Sequence, residues 1–347
     1  MFENHMCPSY RNTINRIGVC LCIMLVLMQG VSFAWQPLRK LLTYALPEYL
    51  AYFAEVLTEA IAYLSCFLIP AILFLPLSKG CVREPIWFRT QMSAFSPLLI
   101  LTGLAAVSAA SQVNAWFMAI IGYGTDSAAT YSGSTNPQAV GLFITVALVP
   151  AFCEELLFRG VIYGNLRRFG IPLAATVSAL LFSLMHANLA QTFYTFVAGV
   201  VLALCYEFGG SIWCSTLLHL LNNLYACVSQ ILLARLGEEA ELILYLVNLA
   251  IMAVGAMAAL ALILLASRQK SSEQPSERKN FFGNLPELLP SAPPVKLDFH
   301  TAVRGFFSPG MSAFLVLHLL YLLLCAVVNT LTIYITYIIK TLMESVR

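Results

Sequence analysis

Long apolar stretches separated by short polar links dominate this chain, and they restrict what it can fold into. A helix crossing a bilayer needs about 20 mostly apolar residues. On that rule candidate spans fall at 17–35, 50–76, 95–121, 138–164, 171–188, 191–208, 211–234, 243–267 and 311–339. In hydrocarbon every backbone N–H and C=O must find its partner inside the protein, and a run of this length does so as a helix. The expected fold class is therefore all-α, a polytopic membrane helical bundle of about eight to nine transmembrane helices.

The composition agrees. The chain is 60% hydrophobic and 10% charged, where a soluble domain carries about 25% charged residues. A formal charge of +2, with no Lys/Arg block interleaved with aromatics, argues against a nucleic-acid partner. The bilayer is the expected one. Ten cysteines lie singly or as VCLC within apolar runs, with no CxxC pair, so neither a disulfide framework nor a zinc knuckle is expected. Arg11 and Arg16 precede IGVCLCIMLVLMQGVSFA, which has the outline of a signal peptide. Its length and the spans that follow favour an uncleaved first helix.

The breaks carry turn chemistry: GYGTDSAATYSGSTNPQ, RRFGIP, EFGGS and ARLGEEAE. KGCVREPIWFR, NLRRFG and SRQKSSEQPSERKN are basic, whereas the loop after the third span and HANLAQ have no Lys or Arg. This asymmetry places the N-terminus and the basic loops in the cytoplasm. The C-terminus is then expected outside, although Lys340 and Arg347 argue the other way.

Polar groups inside the spans carry the chemistry. Ionised side chains at bilayer depth cost about 2.5–3.5 kcal/mol each on insertion scales, yet the fourth span ends in AFCEELLFRG. Residues four apart share a helical face, so Glu155 and Arg159 are placed to pair, and Glu154 points about 100° away. Pro150 removes a backbone donor, frees the carbonyl of Val146 and kinks the helix just before the glutamates. The fifth span carries His186 one turn after Phe182. The seventh carries His219 and Asn223 on one face, with Asn222 rotated off it. At 1.5 Å per residue, Glu154 lies roughly 20 Å from the cytoplasmic end of its helix, His186 roughly 24 Å, His219 roughly 14 Å and Asn223 roughly 20 Å. Convergence near mid-membrane is expected. A structural ion pair and two helix–helix hydrogen bonds are the bland alternative.

Such a cluster suits peptide hydrolysis. Glu154, the carboxylate not engaged by Arg159, would activate water. His219 and Asn223 would act as oxyanion donors, or as a base with its orienting partner, and His186 would position water or leaving group. Alternatively Glu154, His186 and His219 would hold a divalent metal such as zinc, with a fourth position open for water. A non-catalytic immunity or scaffold protein, or a proton-coupled transporter, would also bury such groups. Glu55 and Glu59 of the second span could join a proton path, but near the outer surface they are expected to be solvated. Neither a repeated half nor matching broken helices support transport.

In order, EExxxR at Glu154, Glu155 and Arg159, FxxxH at Phe182 and His186, and HxxxN at His219 and Asn223 resemble the three motifs of the CPBP family. These are CAAX-processing and bacteriocin-processing intramembrane proteases. The resemblance covers about residues 138–230. It implies an all-helical fold, a cavity open toward the cytoplasm, and cleavage of membrane-associated peptides or lipidated proteins. It also implies that Glu154 activates water, that Glu155 and Arg159 shape the site, and that His186, His219 and Asn223 bind water, oxyanion or metal. The expected organisation is 1–137, three N-terminal spans; 138–235, the catalytic core; 236–267, the eighth helix; 268–310, a polar cytoplasmic linker; and 311–347, a C-terminal helix. With no organelle-targeting signal in view, a bacterial plasma membrane is the expected location.

Overall fold

The computed structural model describes residues 9–78, 92–121, 134–271 and 297–345, and every regular element among them is helical. In chain order these are α1 (Tyr10–Ala45), α2 (Glu48–Ser78), α3 (Ser96–Ile120), α4 (Asn136–Phe169), α5 (Ile171–Met185), α6 (Leu189–Gly209), α7 (Ile212–Leu236), α8 (Glu239–Ser271), α9 (Phe299–Phe306) and α10 (Pro309–Ser345). Eight of them are long and apolar enough to cross a bilayer, and α5, with 15 residues, is a shorter apolar helix. The nine apolar segments of the sequence correspond to α1–α8 and α10. The protein is thus an all-α, multi-pass integral membrane bundle. The basic loop 79–89 and most of the 268–310 linker lie outside the described residues. Within that linker, residues 299–306 form α9, started by the Asp298 side chain accepting from the Thr301 amide at 2.9 Å.

Two features near the first loop differ from expectation. α1 continues through WQPLRK, and Arg39 on it donates to Glu55 of α2 at 3.1 Å. Thr43 adds a second hydrogen bond to the same carboxylate. Glu55 is therefore buried and paired, not solvated. A charged residue on a neighbouring helix, invisible to single-segment reading, accounts for the difference.

α4, like α6, is an inner span. Half of its apolar window is buried, against 11% for α8 and 17% for α10, whose outer faces are left for lipid. It is packed by α2, α5, α6 and α7, while α3 joins α6 to α8, and α10 lies along α1. Small residues bring α5 and α6 into backbone contact: a Cβ on Gly199 would sit 2.8 Å from Cα of Ala179. Close approach through small residues is how membrane helices gain dispersion energy when lipid offers no hydrophobic drive.

The helix of α4 is not uniform. Residues Phe143–Leu148 and Leu156–Tyr163 are π-helical, and the α-helical turn Val149–Glu155 between them carries both glutamates. π turns are rare and recur at functional sites. Pro150 supplies a local cause for the first, since its missing N–H and its ring disfavour a regular α turn. Two contacts then tie α4 to α6 eight residues apart on both helices. Arg159 donates to the Gly199 carbonyl at 3.0 Å, and Arg167 forks onto Glu207, which also accepts from Tyr163 at 2.8 Å.

Candidate active site

The α-helical turn of α4 brings Glu154 and Glu155 to the point where α2, α5 and α7 meet it. Arg159 donates to Glu155 Oε1 at 2.8 Å, and neither side chain has any exposure. The remaining contacts of Arg159 are the Gly199 carbonyl and the face of Phe182, whose ring centroid lies 4.6 Å from Cζ. A guanidinium out of water is tolerable only when it is paired, and here Glu155, the Gly199 carbonyl and the Phe182 ring hold its end while Nε has no hydrogen-bond partner. The spacing of EExxxR predicts this pairing, and it survives the change to π geometry after Glu155.

His219 lies between the two carboxylates. Its Nδ1 is 2.9 Å from Glu155 Oε1, and its Nε2 is 3.8 Å from Glu154 Oε2. With Nδ1–H donating to Glu155, a neutral His219 presents an Nε2 lone pair to Glu154. The other oxygen of Glu154, Oε1, accepts from the phenol of Tyr63 on α2. Oε2 is buried and has no hydrogen-bond partner. In that tautomer a carboxylate oxygen and an imidazole nitrogen, both acceptors, face each other across 3.8 Å.

Asn223 and His186 are placed differently from expectation. Asn223 Nδ2 donates to the carbonyl of Val146 at 3.0 Å, the group that Pro150 sets free, and its Oδ1 accepts from Asn222. Asn222, which helical periodicity rotates away, takes part in the same chain and donates to Tyr194. One turn further along α7, the Cys227 thiol reaches the Leu142 carbonyl. Asn223 thus first repairs the backbone of α4 and keeps one N–H for other use. His186 is not inside a helix but caps the end of α5, with Nδ1 2.8 Å from the Phe182 carbonyl. Ala187 after it has φ 48°, a left-handed conformation disfavoured for a residue with a Cβ. Phe182 is the common neighbour of the two imidazoles, its ring 4.8 Å from His186 and 5.9 Å from His219.

This arrangement does not assemble the metal set Glu154, His186 and His219. Among the described residues no group of three His, Cys, Asp or Glu side chains is close enough to hold an ion. Glu154 and His219 converge, while His186 is held through Nδ1 by the Phe182 carbonyl. The residue that sequence reasoning misses is Tyr63. A tyrosine in an apolar helix carries no motif, and nothing local marks it as facing a carboxylate 91 residues away.

Residues 136–225 match a family model described as "Type II CAAX prenyl endopeptidase Rce1-like", a segment that contains all seven motif positions. The chain is also 24% identical over 184 residues to the "Putative membrane peptidase YdiL" of Bacillus subtilis (strain 168). That alignment covers 51% of this chain and 73% of the relative. No solved structure matches.

Proposed function

We propose, for a chain whose core is that of a CPBP-family intramembrane protease, that Glu154 is the general base of a metal-free peptide hydrolysis. The observation that carries this reading is the buried, unpartnered Oε2 of Glu154 facing Nε2 of His219. Two acceptors at that separation suit a molecule with two O–H groups. A water donating one proton to Oε2 and the other to Nε2 keeps a lone pair free for attack.

Its oxygen bonds to the substrate carbonyl carbon as one proton passes to Glu154. The tetrahedral oxyanion takes a hydrogen bond from the uncommitted N–H of Asn223. Collapse breaks the C–N bond, and the proton on Glu154 goes to the leaving amine, which regenerates the carboxylate. Glu155, neutralised by Arg159, holds the His219 tautomer and ring orientation. His186 positions water or leaving group from the α5–α6 link. Membrane-associated peptides, CAAX-type or bacteriocin-like among them, are the substrates that fit a bundle-enclosed site, and a bacterial plasma membrane is the proposed setting.

The test uses purified full-length protein in detergent, with a library of internally quenched peptides that includes farnesylated CAAX sequences. A general base contributes about 10²–10⁴-fold, so Glu154→Gln should lose at least about 10²-fold in rate at unchanged melting temperature. Full activity in that variant overturns the assignment. Cleavage that persists in chelator supports the metal-free scheme. Loss in chelator with recovery on adding zinc overturns it.

A further inference from the structure

We infer that Tyr63 on α2 is a positioning residue that holds the Glu154 carboxylate in its working orientation, an inference that rests on the general-base reading of Glu154. The terminal torsion of a glutamate is broad and roughly two-fold, so an unheld carboxylate turns either oxygen toward His219 or neither. The Tyr63 phenol donates to Oε1 alone. That single hydrogen bond makes the two oxygens unequal: one is anchored, and Oε2 is left facing Nε2 of His219. The phenol is itself held. Its ring stacks on Phe67, one turn along α2, with centroids 4.8 Å apart and planes 28° apart. Phe67 belongs to the buried core. The stack fixes the direction from which the O–H reaches Glu154.

Tyr63 lies well outside the matched segment 136–225. The motif helices α4–α7 thus supply the reacting groups, and a span from the N-terminal third orders them. An ordinary core tyrosine whose hydroxyl merely takes the nearest acceptor would show the same contact. It would not control turnover.

Tyr63→Phe removes one oxygen and leaves the stack intact, so thermal stability should stay near that of wild type. With the best-cleaved library peptide, kcat should fall by about tenfold or more, since small misplacements of a catalytic group are costly. KM should stay within about twofold, because binding energy is untouched. A substrate-independent measurement accompanies this. The infrared difference between wild type and Tyr63→Phe, with ¹³C-ring-labelled tyrosine, isolates the Tyr63 C–O stretch, and Glu154→Gln should move that band. Wild-type kcat in Tyr63→Phe, alongside an inactive Glu154→Gln, overturns the inference while leaving the base assignment standing. Full activity in Glu154→Gln removes the reading beneath it. A Tyr63 band that ignores Glu154→Gln overturns the contact whatever the peptide results.

Discussion

α4 carries two buried acid–base clusters, built from the same residue types and ending differently. Near its C-terminal end, Glu207 has both carboxylate oxygens engaged, one by Arg167 and one by Arg167 and Tyr163 together. Toward the middle, Glu155 and Arg159 are paired, but Oε2 of Glu154 and Nε of Arg159 have no hydrogen-bond partner. An unmet buried polar atom costs about 1–3 kcal/mol, more when it is charged. The closed cluster is complete in itself and ties α4 to α6. The open one retains an unmet acceptor on Glu154 and an unmet donor on Arg159, which is the usual cost of a site that must receive something. Saturation, more than burial or residue type, separates a brace from a reaction centre.

Four measurements would break or sharpen that contrast. The largest effect is expected from Arg159→Leu, which strands the fully buried Glu155. Breaking such a pair costs about 3–5 kcal/mol, so the yield of monodisperse protein and its melting temperature should drop sharply. Normal yield would show the open cluster to be less dependent on its arginine than the geometry requires. Next is Glu207→Gln, expected to cost about 1–3 kcal/mol through lost charged hydrogen bonds, with turnover per folded molecule unchanged. A loss of turnover at retained stability would erase the distinction between brace and centre. Asn223→Ala should cost about 1 kcal/mol by exposing the Val146 carbonyl and should also slow cleavage. Stability loss alone would reduce Asn223 to a backbone repair.

The smallest effect concerns a satisfied carboxylate in water. Asp298 accepts from the Thr301 hydroxyl at 2.7 Å and the Thr301 amide at 2.9 Å, and these contacts hold its carboxyl below the ordinary aspartate value. Because the folded value is depressed, the cap is fully present above the unfolded value and is lost as pH falls through the folded one. Hydrogen-exchange protection of the Thr301 amide should decline on that acid side, and Asp298→Asn should flatten the dependence.

The spans were legible because hydrocarbon imposes a length and a polarity that any window can count. The Glu155–Arg159 pair was legible because helical spacing survives modest changes in winding. Neither signal extends to contacts between distant helices. Glu207, in a sequence read only as a turn, gives no local sign of meeting Arg167. Tyr63 is hidden for the same reason. His186 read as part of the fifth span, 171–188, because an apolar run does not reveal where a helix stops, and here the helix ends at Met185 and the chain turns at Ala187. Pro150 did announce the freed Val146 carbonyl, but not that Asn223, an expected oxyanion donor, would be what satisfies it.

The widened winding of Leu156–Tyr163 has a mechanical consequence. One residue advances an ordinary helix by about 100°, so a chain one residue shorter there could wind as a regular α-helix and still keep its downstream face in phase with what precedes it. In its present form that stretch acts as a gear between the two clusters. Drawing it tight without removing a residue would swing Arg167 off Glu207 while Glu154 stayed where it is. The bracing end of the helix and its reacting end are kept in register by an irregularity, and ironing that irregularity out would uncouple them.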